Sequence, residues 1–234
     1  MYYFDYTYVI FMLPCIILSL ICQVRVKSAF SQYGKVPNSR RMTGAQAAEY
    51  VLRCNNVTGV RIEHVEGNLT DHYDPRTNVI RLSDAVYNAT SVAAVGVAAH
   101  EAGHAVQTAL HYFPNKVRSA ILPAAKLGSG LSWILIVIGF LFSYGSTTSV
   151  GLYILYAGII LFSASVLFTV ATLPVEFDAS RRALKCIRET NLLSQEEYSG
   201  AKSVLTAAAM TYVASALTSI MQLLRLLLLA RRRR

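Results

Sequence analysis

Hydrophobic and polar positions along this chain change period several times. Three stretches carry no charged side chain: nineteen residues from Tyr6 to Val24, forty-nine between Lys126 and Glu176, and twenty-two from Ser203 to Leu224. About 20 apolar residues at 1.5 Å each cross a hydrocarbon core of about 30 Å. The first stretch is therefore one span. The second is too long for one and right for two, with Tyr144-Gly145-Ser146-Thr147-Thr148-Ser149 as the turn. The third is long enough to cross, yet it ends in Arg225 and Arg231 to Arg234. A crossing would put those arginines outside, against the bias that keeps basic residues in the cytoplasm. An in-plane or re-entrant helix avoids this, so three spans are expected and four are the alternative.

Between the first two stretches the pattern is that of a water-facing domain. Thr43 to Leu52 has helical period, Thr43 as its cap and Gln46 at the capping-box position. Val60-Arg61-Ile62-Glu63-His64-Val65 alternates with period two, with Glu66-Gly67-Asn68 as its turn; Asn78 to Leu82 is a second strand after the loop Asp71 to Arg76. The pair is either a core-forming hairpin or an edge that takes an extended peptide by backbone hydrogen bonds. From Ser91 to Leu110 small and apolar residues run as one helix. The uncharged run before His100, Ala85 to Ala99, is fifteen mixed residues and too short to span, which argues against an intramembrane metal helix.

Composition sharpens this picture. With 54% hydrophobic and only 15% charged residues and a mean hydropathy of +0.41, the chain is too apolar for an ordinary soluble domain. Its net charge of +9 reads as anchoring to anionic lipid headgroups, because no aromatic-basic interleaving points to nucleic acid. No nucleic-acid partner is expected. Arg25, Lys27, Lys35, Arg40 and Arg41 follow the first span, which puts the N-terminus outside and residue 25 onward in the cytoplasm. A cleaved signal peptide would need a basic n-region, whereas Asp5 precedes this run. Tyr2, Tyr3, Tyr6 and Tyr8 suit an interfacial belt. Lys116, Arg118 and Lys126 at one end of the long stretch, with Arg181, Arg182, Lys185 and Arg188 at the other, bring both hairpin ends to the cytoplasmic side.

The chemistry is concentrated in His100-Glu101-Ala102-Gly103-His104. Residues four apart in a helix share a face, so His100 and His104 can offer two imidazole nitrogens to one zinc ion. Glu101, about 100° round the helix, can reach a water held there and act as base. The competing reading is two satisfied core histidines. A catalytic zinc takes three protein ligands. Cysteine is a poor source: Cys15 and Cys22 sit in an apolar run, and Cys54 and Cys186 have no C-x-x-C partner. The best candidate is Glu176 in Leu173-Pro174-Val175-Glu176-Phe177-Asp178-Ala179-Ser180-Arg181-Arg182-Ala183-Leu184, where Pro174 can open a helix and Ser180 lies one turn after Glu176. His64, His72 and His111 are further candidate ligands or oxyanion partners, but they lack a partner at metal spacing and read rather as solvated loop histidines. Tyr212 reads either as an oxyanion partner or as a core tyrosine. The loop from Asp71 to Asp74 lacks the ligand pattern of a calcium site.

The pairing of H-E-A-G-H with a later E-F-D-A-S-R-R-A-L resembles the HtpX-like and CAAX-type membrane zinc endopeptidases, whose later helix reads E-[FY]-x-A-D-R-x-A. It is closer still to the YugP-type bacterial membrane zinc metallopeptidases, over most of the chain. The resemblance implies a mainly α, α+β fold: a multi-pass helical membrane protein with a cytoplasmic zincin-like metalloprotease domain and a small sheet. It implies Zn2+ held by His100, His104 and Glu176, with Glu101 as catalytic base and polypeptide as substrate. One position departs from the family pattern. Ser180 stands where the family has Asp, so the task of orienting a ligand histidine falls to Ser180, to Asp178, or to neither.

The expected layout is an N-terminal transmembrane helix (1–24), a metalloprotease region (25–126), a transmembrane hairpin (127–173), a third-ligand helix (174–202) and an apolar helix with an Arg-rich tail (203–234). The expected place is the bacterial inner membrane, with the active site facing the cytoplasm. Two other functions fit the same residues: a membrane scaffold or adaptor whose zinc site is structural or vestigial, and a zinc amidohydrolase acting on a non-peptide substrate.

Overall fold

The computed structural model describes residues 6–143 and 149–231. In chain order it has helices α1 (Tyr6–Tyr33) and α2 (Gly44–Cys54), then strands β1 (Arg61–His64), β2 (His72–Asp74) and β3 (Val79–Leu82). Helices α3 (Val92–Ala109), α4 (Phe113–Phe142), α5 (Val150–Glu189) and α6 (Gln195–Arg231) follow. Four of the helices, α1, α4, α5 and α6, are long and apolar enough to cross a membrane. The proposed turn Tyr144 to Ser149 lies outside the described residues except for Ser149, as do Tyr2, Tyr3 and the last three arginines.

The chain forms two compact units. The first comprises Met1–Ile21, Lys116–Leu173 and Tyr212–Arg234. Its core gathers Ile136, Leu155, Ile159, Leu226 and Ala230. The backbones of α4 and α5 come so close that a Cβ on Gly128 would stand 2.3 Å from the Leu161 carbonyl oxygen. Large apolar side chains cover its outside, among them Ile134, Val137 and Leu141 of α4 and Tyr153, Ile160 and Leu167 of α5. Such a surface is costly in water and ordinary in lipid. The helices keep Pro14, Pro123 and Pro174 in their interiors.

The second unit comprises Cys22–Asn115 and Pro174–Thr211 and carries all the motif chemistry. Helix α2 starts at a complete capping box: the Thr43 hydroxyl accepts from the Gln46 N–H, and the Gln46 side chain accepts from the Thr43 N–H. This satisfies two N–H groups that a bare helix start would leave open. Its apolar face buries Ala47, Ala48, Val51 and Leu52 against α3, in a core that includes Ile80, Leu82, Ala98, Ala102, Ala183 and Ile187.

The sheet departs from the hairpin expectation. Its order is β1-β3-β2, with β1 parallel to β3 and β2 antiparallel to it. Strand β2 lies in what the sequence pattern assigns to a loop. The reversal into β3 is fixed locally: Asp74 accepts from the Arg76 N–H (3.0 Å) and the Thr77 hydroxyl (2.8 Å). With β2 paired to one side of β3, β1 occupies the other side and runs parallel to it. Strand β3, central, is the buried one; β2 is an edge and packs against α3.

Two helix boundaries also differ. Pro174 does not open a helix; α5 runs through it for 40 residues. A proline in a long helix forfeits one i to i−4 bond, and packing on both sides outweighs that loss. Helix α6 begins at Gln195, well before Ser203, with the Ser194 hydroxyl accepting from the Glu197 N–H.

Candidate metal centre

Helix α3 supplies two of the three donors. Ser91 caps it through a hydroxyl that accepts from the Ala94 N–H at 3.2 Å. Thirteen of its eighteen residues are buried, so its motif face lies inside the protein. Small side chains make this possible. A Cβ on Gly103 would stand 2.5 Å from the Ala179 carbonyl oxygen, so only glycine lets α3 and α5 approach to this distance. That contact sets Glu176 and Ser180, one turn apart on α5, against His100 and His104.

The donor atoms converge. His100 Nε2 and His104 Nε2 are 3.1 Å apart, and Glu176 Oε2 lies 3.4 Å from the first and 3.5 Å from the second. Nitrogen and oxygen ligands about 2.0–2.1 Å from a tetrahedral zinc stand about 3.3–3.4 Å from one another. The three side chains are thus spaced as a shared ion requires, and two imidazoles with one carboxylate form a donor set suited to zinc. Among the described residues, this is the one group of histidine, cysteine and acidic side chains so arranged.

The far side of each ring decides which nitrogen is free to bind. His100 Nδ1 lies 3.0 Å from the Ser180 hydroxyl. His104 Nδ1 lies 3.1 Å from Gln107 Oε1, and the orientation of that amide follows from its other contacts. Its Nε2 donates to two acceptors, the Val175 carbonyl at 2.7 Å and Asp178 Oδ2 at 2.9 Å. The amide oxygen therefore faces His104 and can only accept, so the Nδ1 of His104 carries the proton and Nε2 presents its lone pair to the ion. Asp178 Oδ2 is held in turn by Arg182 Nε at 2.6 Å, and the Arg182 guanidinium lies over the Tyr112 ring, 5.6 Å from its centroid.

Ser180 thus supports His100, while Asp178 acts at one remove through Gln107 on His104. Sequence reasoning missed Gln107. The signal was present: an amide three residues after His104, on the same helical face, in a stretch otherwise made of small and apolar residues.

Charge gathers around His104. Burial by itself lowers its pKa, but hydrogen bonding to Glu176, the nearby carboxylates of Glu101 and Glu176 and the bond to Gln107 outweigh this and hold it above 6.5. Glu101 is buried beside His100 on α3.

The other residues considered lie elsewhere. His64 Nε2 contacts Asp84 Oδ1 at 2.6 Å, His72 Nδ1 donates to the Thr70 carbonyl at 2.7 Å, and His111 sits at a left-handed position (φ 51°) after α3. Tyr212 belongs to the other compact unit. All four cysteines are free and none joins the cluster.

Residues 8–231 match a family model described as "Putative neutral zinc metallopeptidase". The chain is 44% identical over 212 residues to the "Putative membrane protease YugP" of Bacillus subtilis (strain 168), covering 91% of each chain. No solved structure matches it.

Proposed function

The chain belongs to the neutral zinc metallopeptidase family, and we propose that it is a membrane-embedded endopeptidase that hydrolyses peptide bonds of membrane-associated or misfolded proteins at the cytoplasmic face. The observation that carries the proposal is the convergence of His100, His104 and Glu176 within coordination distance of one another, beside a glutamate in the H-E-x-x-H position. Those three side chains would hold Zn2+. When bound, zinc supplies a Lewis acid that lowers the pKa of water and polarises a carbonyl.

The residues of the chain do the rest. Glu101 takes the proton of the attacking water and delivers it to the leaving amine. Ser180 and Gln107 fix the two imidazoles. Strand β2, an edge strand packed on α3, offers unpaired backbone groups along which an extended polypeptide can align. The basic residues flanking the apolar helices favour a cytoplasmic site and contact with anionic headgroups.

The test is chelator-sensitive cleavage of casein or an unfolded membrane protein by the detergent-purified chain. Glu101→Gln should keep zinc stoichiometry and lose turnover by at least a hundredfold, while Glu176→Ala should lose the metal. Undiminished cleavage by Glu101→Gln would defeat the mechanism.

A further inference from the structure

Outside the metal centre, the second unit contains a groove of about 560 Å³ between the C-terminal part of α5 and the N-terminal part of α6. Ligand clefts run from about 300 to 1,000 Å³. Its floor is apolar, formed by Phe177, Leu184, Leu205 and Ala209. Phe177 is 42% exposed, a large apolar side chain without a full packing partner. The groove also adjoins the centre, because its wall includes Ser180, whose hydroxyl holds His100.

Three cations line it, Arg181, Lys185 and Arg188, set at successive turns of α5. Lys185 has a loose exposed ion pair with Glu189 at 3.8 Å, and Arg188 lies over the Tyr198 ring at 4.6 Å. Glu189 is the one acidic group in the lining, so the groove keeps a positive excess.

The placement of these charges says what they fit. Seven residues of helix spread them over about 10 Å. An extended polypeptide repeats its side chains on one face every 6.6–6.8 Å or so, close to the rise of about 6 Å from Arg181 to Lys185. A single phosphate headgroup would need them focused on one point. We propose that this groove receives the segment flanking the scissile bond of a polypeptide substrate, and that Arg181 and Lys185 select segments in which acidic residues alternate with apolar ones. The proposal rests on the peptidase reading and names its substrate class.

The test uses the detergent-purified full chain loaded with zinc, and two fluorogenic peptides with the same cleaved core, one flanked by Glu-Leu-Glu and the other by Lys-Leu-Lys. The acidic peptide should be cleaved with a three- to tenfold higher kcat/KM, the range open to two exposed charge pairs. The preference should shrink at high salt, invert in Arg181→Glu/Lys185→Glu and persist in Arg181→Lys. Anisotropy of the same labelled peptides on the Glu101→Gln protein reads binding without turnover. Equal cleavage and equal binding of the two peptides would overturn the groove assignment and leave the peptidase standing. Selective acidic-peptide binding without cleavage by the wild-type chain would do the reverse. Charge-dependent binding of phosphatidylglycerol vesicles, with no peptide preference, would overturn the proposal in favour of a lipid site.

Discussion

Gln107 offers the sharpest test of how the centre is built. It is fully buried and makes three hydrogen bonds: it accepts from His104 Nδ1 (3.1 Å) and donates to the Val175 carbonyl (2.7 Å) and Asp178 Oδ2 (2.9 Å). Gln107→Met keeps length and nearly the volume while removing all three. Asp178 still has Arg182, so its loss is that of an ordinary bond, about 0.5–1.5 kcal/mol. The N–H at His104 Nδ1 is left inside the protein with no acceptor, which costs about 1–3 kcal/mol. Together these two lower the stability of the metal-free protein by roughly 1.5–4.5 kcal/mol. The effect on zinc is separate. A ligand histidine deprived of its outer partner loses its fixed ring and tautomer, and affinity falls about 10- to 100-fold. The assay is competition between the purified protein and a chromophoric chelator at fixed pH, with thermal unfolding measured alongside. A Gln107→Met protein that binds zinc within about threefold of wild type would refute the claim that this amide sets the tautomer.

Three further outcomes follow from the same geometry. Gly103→Ala would drive a methyl to 2.5 Å from the Ala179 carbonyl oxygen and so push α5 from α3; it should cost about 1–3 kcal/mol and reduce zinc stoichiometry. Gly96→Ala, whose Cβ would meet Ala201 Cβ at an ordinary 3.4 Å, should be neutral or stabilising by up to about 1 kcal/mol, as thermal melts of both variants would read. Acidification should release zinc, because a proton competes with the ion for the ligand nitrogens; Glu101→Gln removes one of the charges that raises the His104 pKa and should move the release to lower pH. In the metal-free protein the sign reverses. A His104 proton bound more tightly in the folded state stabilises it below the unfolded pKa, and this contribution is lost as pH rises through the folded value. Melting temperature against pH, with and without zinc, therefore gives opposite slopes across the histidine range.

How much of this was legible beforehand can be read residue by residue. Local signals carried far: the capping box at Thr43 and Gln46, the Ser91 start of the motif helix and the i, i+4 histidine pair depend on interactions within one turn, which adjacent residues specify. The uncharged runs likewise declared helices that can cross a membrane, because length and the absence of charge are sufficient for that. What the chain order could not settle was anything fixed by a partner distant in sequence. Strand β2 is three residues long and exists because β3 pairs with it; α5 continues through Pro174 because its flanks are packed; α6 begins eight residues before the apolar run does. The metal centre divides in the same way. The histidine pair and Glu101 were in the motif, but the arrival of Glu176, 72 residues beyond His104, depends on a bare backbone at Gly103 meeting Ala179, and the support of Gln107 depends on Asp178 and the Val175 carbonyl across that contact. A sequence states which donors exist and which share a helical turn; only the tertiary contact between α3 and α5 brings them within about 3.5 Å, the spacing at which they can share one ion.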